Sequence, residues 1–193
     1  LDFVNTVART ATVGAGKVRN ACAEYRTLVD YGSDNNLTLD LKKTAAMIAA
    51  GLPTRVFYLN QGGFDTHAAQ AETQQLLLIY LADALHGFMK DIKRIGRADD
   101  VVVMVFTEFG RRVRENASNG TDHGTAAPMF VLGKPVKGGF YGTAPSLTDL
   151  DDGNLKMTTD FRSVYATMLS GWMGFEDTPS VLRGKFPALP LFV

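Results

Sequence analysis

Cysteine is nearly absent from this sequence, since Cys22 is the only one in 193 residues. A single thiol excludes a disulfide within the chain and any zinc cluster built on several cysteines. An excess of charge of one sign is lacking too, because Lys+Arg and Asp+Glu each number 20. Without a basic excess, nothing indicates binding to nucleic acid or to a membrane surface. No apolar run approaches the roughly 18 residues of a membrane-spanning helix, so we expect no membrane span.

Helical periodicity dominates residues 1–50, which we interpret as a helical lead-in without assigned chemistry. Three helices are predicted there: Leu1–Val13 closed by Gly14 and Gly16, then Val18–Tyr31, then Leu39–Ala50. Further helices are predicted over Ala68–Ile95 and Phe161–Met173.

Three short apolar runs predict strands in the remainder, residues 54–193. They are Arg55–Asn60, Val101–Phe106 and Pro128–Leu132. Every residue of Val101–Phe106 is apolar, which is typical of a strand buried on both faces of a parallel sheet. The strand–helix–strand spacing predicts a crossover between parallel neighbours. We therefore predict one α/β domain over residues 1–193, a mostly parallel sheet flanked by helices.

Histidine is scarce, with only three in the chain. Asp65 and His67 lie in a glycine-rich loop after the first predicted strand, and Asp122 and His123 in the loop after the second. Loops at the carboxyl ends of parallel strands meet at one edge of a sheet. Carboxylate and imidazole donors together suit a divalent ion, zinc in first place, with manganese or iron as alternatives.

A simpler alternative stays open for these pairs. Asp65 could cap the following helix, while His67 and His123 only form hydrogen bonds in their loops. We interpret His86, inside the long predicted helix, as structural.

Three further polar residues follow the central run. Arg111 can match a pair of anionic oxygens in a bidentate manner, or it can be a solvated residue paired with Glu115. Glu108 is a metal ligand, a general base or an orienting partner for Arg111, and the sequence leaves these roles open. Asn116 is a candidate hydrogen-bond donor to the anion. Glu108, Arg111 and Asn116 are thus our candidate catalytic residues.

Four motifs carry a resemblance to a known family. They are GGFDTHAAQ, TEFGRRVRENASNGTDHGTA, FVLGKPVKGGFYG and TTDFRSVYATMLSGWMG. In this order they resemble the carboxyl-terminal half of the family catalogued as domain of unknown function 1501, over roughly Ala45 to Val193. That family is grouped with the alkaline phosphatase and sulfatase superfamily, and its bacterial members often carry twin-arginine export signals.

The resemblance implies an alkaline phosphatase-like fold and two metal ions at the edge of the sheet. It places Asp65, His67 and His123 on one ion. The second ion would need an Asp-His pair after a strand, where this chain has Glu108 and Phe109. An alternative alignment takes Asp122 and His123 as that pair.

These observations lead to three hypotheses. The first is a metal-dependent hydrolase of phosphate or sulfate esters, acting on a small anionic ester and exported to the periplasm, as the resemblance implies. The second is an exported, non-catalytic module that binds a metal or an anion. The third is a structural fragment whose polar loops satisfy one another. Since the chain starts at Leu1 within a helical pattern, we also expect missing upstream residues, and self-association through the surface they would cover.

Overall fold

The computed structural model describes residues 2–193, so Leu1 lies outside the described part. The chain divides into two compact units. The first comprises the chain up to Asp65 together with Glu72–Asp100, and the second comprises Thr66–Ala71 and Val101–Val193.

Three helices build the first unit: α1 (Asp2–Glu24), α2 (Asn36–Ala49) and α3, whose full range is Gln70–Arg94. The side chain of Asn35 caps α2 by accepting from the Thr38 amide. In α3 the buried residues recur at helical spacing and form one face, namely Ala84, Gly87, Phe88, Asp91 and Ile92. The core of this unit lies along that face and the buried side of α2.

Helix α1 corrects the prediction for residues 1–31. It runs through Gly14 and Gly16, where we predicted a break, and it ends at Glu24, before the predicted end at Tyr31. A glycine in a helix costs only about 1 kcal/mol relative to alanine, which is too little to end a helix without proline or a capping motif. Beyond the helix, Tyr25 and Tyr31 donate hydrogen bonds to the buried Asp91, which connects residues 25–31 with α3.

Six short strands and two helices make up the regular structure of the second unit. The strands are β1 (Val103–Val105), β2 (Gly110–Arg111), β3 (His123–Gly124), β4 (Phe130–Leu132), β5 (Leu150–Asp151) and β6 (Asn154–Leu155). The helices are α4 (Phe161–Thr167), which continues as a π-helical turn over Met168–Trp172, and α5 (Thr178–Leu182). The helix predicted over Phe161–Met173 is therefore present, with a π-helical last turn.

The strands pair in three antiparallel ladders, β1 with β4, β2 with β3 and β5 with β6. The described residues thus combine helices with small antiparallel sheets. The mostly parallel sheet that we predicted is not found in them. Arg55–Asn60 forms no ladder there, and its Val56 and Tyr58 are 69% and 78% exposed.

A physical reason explains this error. An apolar run indicates that a strand is to be buried, but it does not specify which segment will pair with it or in which direction. Val101–Val105 is only half-buried, and its last three residues, Val103–Val105, pair with β4. Among residues 2–193, no helix combines the length and apolar composition that crossing a bilayer requires.

Candidate metal centre

Two loops of the second unit are joined beside His67. The backbone amide of Ala69 donates to the carbonyl oxygen of Ser118 at 2.9 Å, and that of Gln70 donates to Asn119 at 2.9 Å. Since these bonds lie two and three residues beyond His67, they fix the loop that carries this histidine against residues 116–120.

The Asn116 side chain completes this junction. Its Nδ2 donates to the carbonyl oxygen of His67 at 3.0 Å and to Oδ1 of Asp122 at 3.2 Å. Its Oδ1 accepts from the backbone amides of Ser118 and Gly120 at 2.9 and 3.2 Å. An asparagine amide has two donor hydrogens, and both are directed at protein acceptors. Asn116 therefore holds the loops together, and its predicted contact with an anion remains a prediction.

A two-residue antiparallel ribbon positions the second histidine. In the β2–β3 ladder, Gly110 pairs with Gly124 and Arg111 pairs with His123. Directly opposed residues in an antiparallel pair project to the same face. The ribbon therefore presents Arg111 and His123 on one side.

Asp65, His67 and His123 form the candidate metal centre. The Nε2 atoms of the two histidines are 3.2 Å apart. Each of the three residues offers one ligand atom, and these atoms lie within 4.8 Å of one another. Asp65 precedes His67 by two residues in the chain. All three side chains are exposed, and an ion held there would be open to solvent.

Asp122, the fourth predicted metal ligand, lies against the other nitrogen of His67. Its Oδ1 is 3.4 Å from Nδ1 of His67. The hydrogen bond from Asn116, followed by the one from His67, lowers the pKa of Asp122 below its usual value. An ionised carboxylate at this position favours a proton on Nδ1, which leaves Nε2 as a lone-pair donor facing His123. Asp122 is thus placed to orient His67.

Arg111, the second residue of β2, is half-buried. Its Nη1 donates to the carbonyl oxygen of Thr121, and its Nη2 donates to Oγ1 of Thr66 at 3.3 Å. Its guanidinium carbon is also 5.2 Å from the centroid of the Phe109 ring. These contacts hold the guanidinium at the ribbon, beside the Thr66 and Thr121 positions.

Two other predicted residues lie outside the cluster of donor atoms. Glu108 is exposed at a bend between β1 and β2. His86 is exposed on α3 and belongs to the first unit. Helix α3 begins at Gln70, five residues after Asp65, so the alternative in which Asp65 caps this helix does not match the structure.

Phe109 is a residue of the site that the sequence analysis did not identify as a contact of His123. Its ring stacks on the His123 imidazole with 3.9 Å between centroids and an angle of 8° between planes. The available signal was the spacing of Phe109 and Arg111 on either side of Gly110, since residues two apart in an extended segment share a face.

Comparison with known proteins gives one result. The family profile described as "Protein of unknown function (DUF1501)" matches residues 26–185. This range contains every candidate site residue. No curated protein and no solved structure matches the chain.

Proposed function

This chain belongs to the DUF1501 family, and from that premise we propose that it is a metal-dependent hydrolase of phosphate or sulfate esters. One divalent ion, zinc in first place, would be held by Asp65, His67 and His123. The family match agrees with the resemblance that four motifs carried. The reaction is our inference from the donor set and from the superfamily to which that resemblance points.

The separation of the two histidine nitrogens is the observation that carries the metal proposal. Two nitrogens bound to a tetrahedral zinc at about 2.0–2.1 Å lie roughly 3.3–3.4 Å from each other. The Nε2 atoms of His67 and His123 are 3.2 Å apart before any ion is considered. A carboxylate from Asp65 completes a donor set of two histidines and one acid, a composition typical of catalytic zinc with an open position.

The surrounding residues support binding of an anionic ester. A metal ion at this site would supply a Lewis acid and lower the pKa of a bound water molecule. Arg111, held through Thr66 and Thr121 on the same face of the ribbon as His123, is the cation we assign to the anion. Asp122 and Asn116 orient His67, and Glu108 is an exposed carboxylate between β1 and β2 for which we retain the role of general base. The substrate class that fits this chemistry is a small anionic ester, and export to the periplasm remains a proposal from the resemblance.

A second candidate function is non-catalytic binding of a metal or an anion, with the same export. Two observations favour it. Phe109, in the place where the superfamily pattern has a ligand for a second ion, stacks on His123 with its hydrocarbon ring. Asn116, a candidate donor to the substrate, has both amide hydrogens directed at protein acceptors. Both features suit a site that holds one metal ion and has few hydrogen-bond donors to stabilise a transition state.

The deciding experiment is elemental analysis and calorimetric titration of the whole chain with zinc, manganese and ferrous iron. The parent is compared with His67→Ala and His123→Ala, and His86→Ala is the matched control on an exposed helical position. We expect one equivalent of metal in the parent and in the control, with affinity lost in both site variants. No uptake by the parent, or uptake retained in both site variants, would refute the metal proposal.

A second assay separates the two functions. Hydrolysis of an aryl phosphate and an aryl sulfate is measured with the metal-loaded parent, Asp65→Ala and Arg111→Ala. Turnover lost in both variants supports the hydrolase. A parent that binds one ion and hydrolyses neither ester supports the non-catalytic module.

A further inference from the structure

The Phe109 ring lies flat against the His123 imidazole. The ring centroids are 3.9 Å apart, and the planes are inclined by 8°. The neighbouring His67 ring is 4.8 Å from His123 and tilted by 36°. His123 therefore has a parallel aromatic contact with Phe109 and an edge contact, nitrogen to nitrogen, with His67.

The ribbon explains why Phe109 reaches this position. Arg111 is directly opposite His123 in the ladder. Phe109 precedes Arg111 by two residues and so projects to the same face of the extended chain. Gly110, between them, has no side chain, and a Cβ atom there would lie 1.9 Å from the carbonyl oxygen of Ala126. Position 110 therefore accepts glycine alone without a shift of the backbone next to Phe109.

We propose that Phe109 is a positioning residue of this metal centre, which fixes the plane of the His123 imidazole and thereby directs its Nε2 toward the ion. The inference rests on the proposed metal site and adds a residue that cannot itself bind metal.

Imidazole geometry gives the physical reason. The lone pair of Nε2 lies in the plane of the ring, so rotation of the ring about its bond to Cβ turns the lone pair away from a fixed ion. His123 is exposed, and the Phe109 ring covers one face of its imidazole. A stacked ring on one face restricts that rotation, because the contact is lost when the planes diverge. In metal sites, residues that orient a ligand affect affinity without touching the ion.

The test compares Phe109→Leu, which removes the aromatic face, with Phe109→Tyr, which retains it. Phe140→Leu is the matched control, since Phe140 is 106% exposed. Zinc affinity is measured by calorimetric titration of the whole chain. We expect Phe109→Leu to weaken zinc binding roughly 2- to 12-fold, the size of effect that corresponds to an aromatic stack. Phe109→Tyr and the control should keep the affinity of the parent.

A second readout does not need metal. In the metal-free parent, the ring current of Phe109 should shift the His123 ring protons upfield in the NMR spectrum. Phe109→Leu should abolish that shift, and Phe109→Tyr should keep it. Circular dichroism and Trp172 fluorescence establish that each variant is folded.

The outcomes separate this inference from the proposed function. A parent that binds zinc while a folded Phe109→Leu binds it equally well would overturn the role of Phe109 alone. Unchanged His123 ring-proton shifts in Phe109→Leu would do the same. A parent that binds no metal would overturn the proposed function and, with it, any role of Phe109 in metal binding.

Discussion

Replacing Asp91 by asparagine tests the polar network at the centre of the first unit. The Asp91 side chain is fully buried and accepts four hydrogen bonds of 2.7–2.9 Å. The donors are Tyr25 and Tyr31 on Oδ2, and Thr27 and Arg94 on Oδ1. These bonds connect α3 with the segment that follows α1. Since this segment has no regular structure, the network should determine much of its position.

The expected magnitude follows from what an amide can replace. Its oxygen can take over the bonds from Thr27 and Arg94, while its NH2 group would face the two tyrosine hydroxyls. The hydroxyls can rotate to accept, but at least one of their own hydrogens then lacks its buried acceptor. Hydrogen bonds to a charged group contribute about 1.5–3 kcal/mol each, against about 1 kcal/mol between neutral groups. We expect Asp91→Asn to lower the free energy of unfolding by about 2–4 kcal/mol.

The assay is urea unfolding monitored by circular dichroism at 222 nm. This helical signal reports mainly on the first unit, because the three longest helices lie largely in it. Asp40→Asn is the matched control. Asp40 pairs with Lys43 at 2.8 Å on the surface, and such pairs contribute little. The control should unfold with the parent. If Asp91→Asn shifts the midpoint no more than the control does, the hydrogen bonds to Asp91 do not stabilise the first unit.

The same network predicts how stability depends on pH. Burial opposes ionisation of Asp91, but the hydrogen bonds from Tyr31 and Tyr25 outweigh it and lower the pKa of Asp91. Its contribution is therefore complete above the unfolded pKa of about 4, and it is lost as the pH falls through the lower folded pKa. The difference in stability between the parent and Asp91→Asn should narrow below about pH 4.

At high pH, ionisation of Tyr25 should lower the stability of the fold. Burial, then the bond to Asp91, raises the pKa of Tyr25 to about 12. Its contribution is complete below the unfolded pKa of about 10 and is lost as the pH rises through the folded value. Absorbance at 295 nm should show Tyr25 ionising late in the parent and earlier in Asp91→Asn.

The remaining predictions concern close approaches and loop positions. Asn116→Ala removes the bonds to His67 and Asp122, and zinc affinity measured by calorimetry should fall about 10- to 100-fold, as for other residues that orient ligands. Gly120→Ala would place a Cβ atom 2.4 Å from the carbonyl oxygen of His67, and calorimetry should show weaker zinc binding. Gly87→Ala should lower the free energy of unfolding by about 1–3 kcal/mol, because its Cβ would lie 2.5 Å from a backbone oxygen.

One substitution serves as a control for both glycine variants. A Cβ atom at Gly138 would have no neighbour within 4 Å, so Gly138→Ala should leave zinc affinity and urea midpoint unchanged. In a helix without close neighbours, replacing glycine by alanine usually raises the free energy of unfolding by about 1 kcal/mol. The change measured for Gly87→Ala should be compared with that value. A net stabilisation would contradict the close approach of α3 to residues 30–31.

The sequence directed attention to three side chains that lie close together in the structure, but it did not predict which backbone elements bring them together. Histidine is scarce and Asp65 is a near neighbour of His67, and in the structure one donor atom from each of Asp65, His67 and His123 lies within 4.8 Å of the others. We expected parallel strand ends to do this. An antiparallel ribbon and the Asn116 loop do it instead. Donor identity is local information, whereas the pairing partner of a strand is not.

Element prediction shows the same limit. Helices α2 and α3 lie close to their predicted ranges because a helix satisfies its backbone hydrogen bonds within its own segment, so its apolar spacing is visible locally. The run Arg55–Asn60 has a strand-like composition but forms no ladder among the described residues. A strand needs a partner that its own sequence does not specify.

Residues that orient others are the hardest to recognise from sequence, and Phe109 and Asp91 show why. Asp91 lies inside a helical pattern, and its donors Tyr25 and Tyr31 are 66 and 60 residues away in the chain. Neither the periodicity of α3 nor that of the preceding segment indicates that they meet. From the sequence, Phe109 is notable only as a side chain that cannot bind metal. Its stacking on His123 follows from the register of the β2–β3 ladder, which the sequence does not specify. Ligand chemistry is a property of one residue, but orientation is a property of a pair, and pairs are specified by the fold.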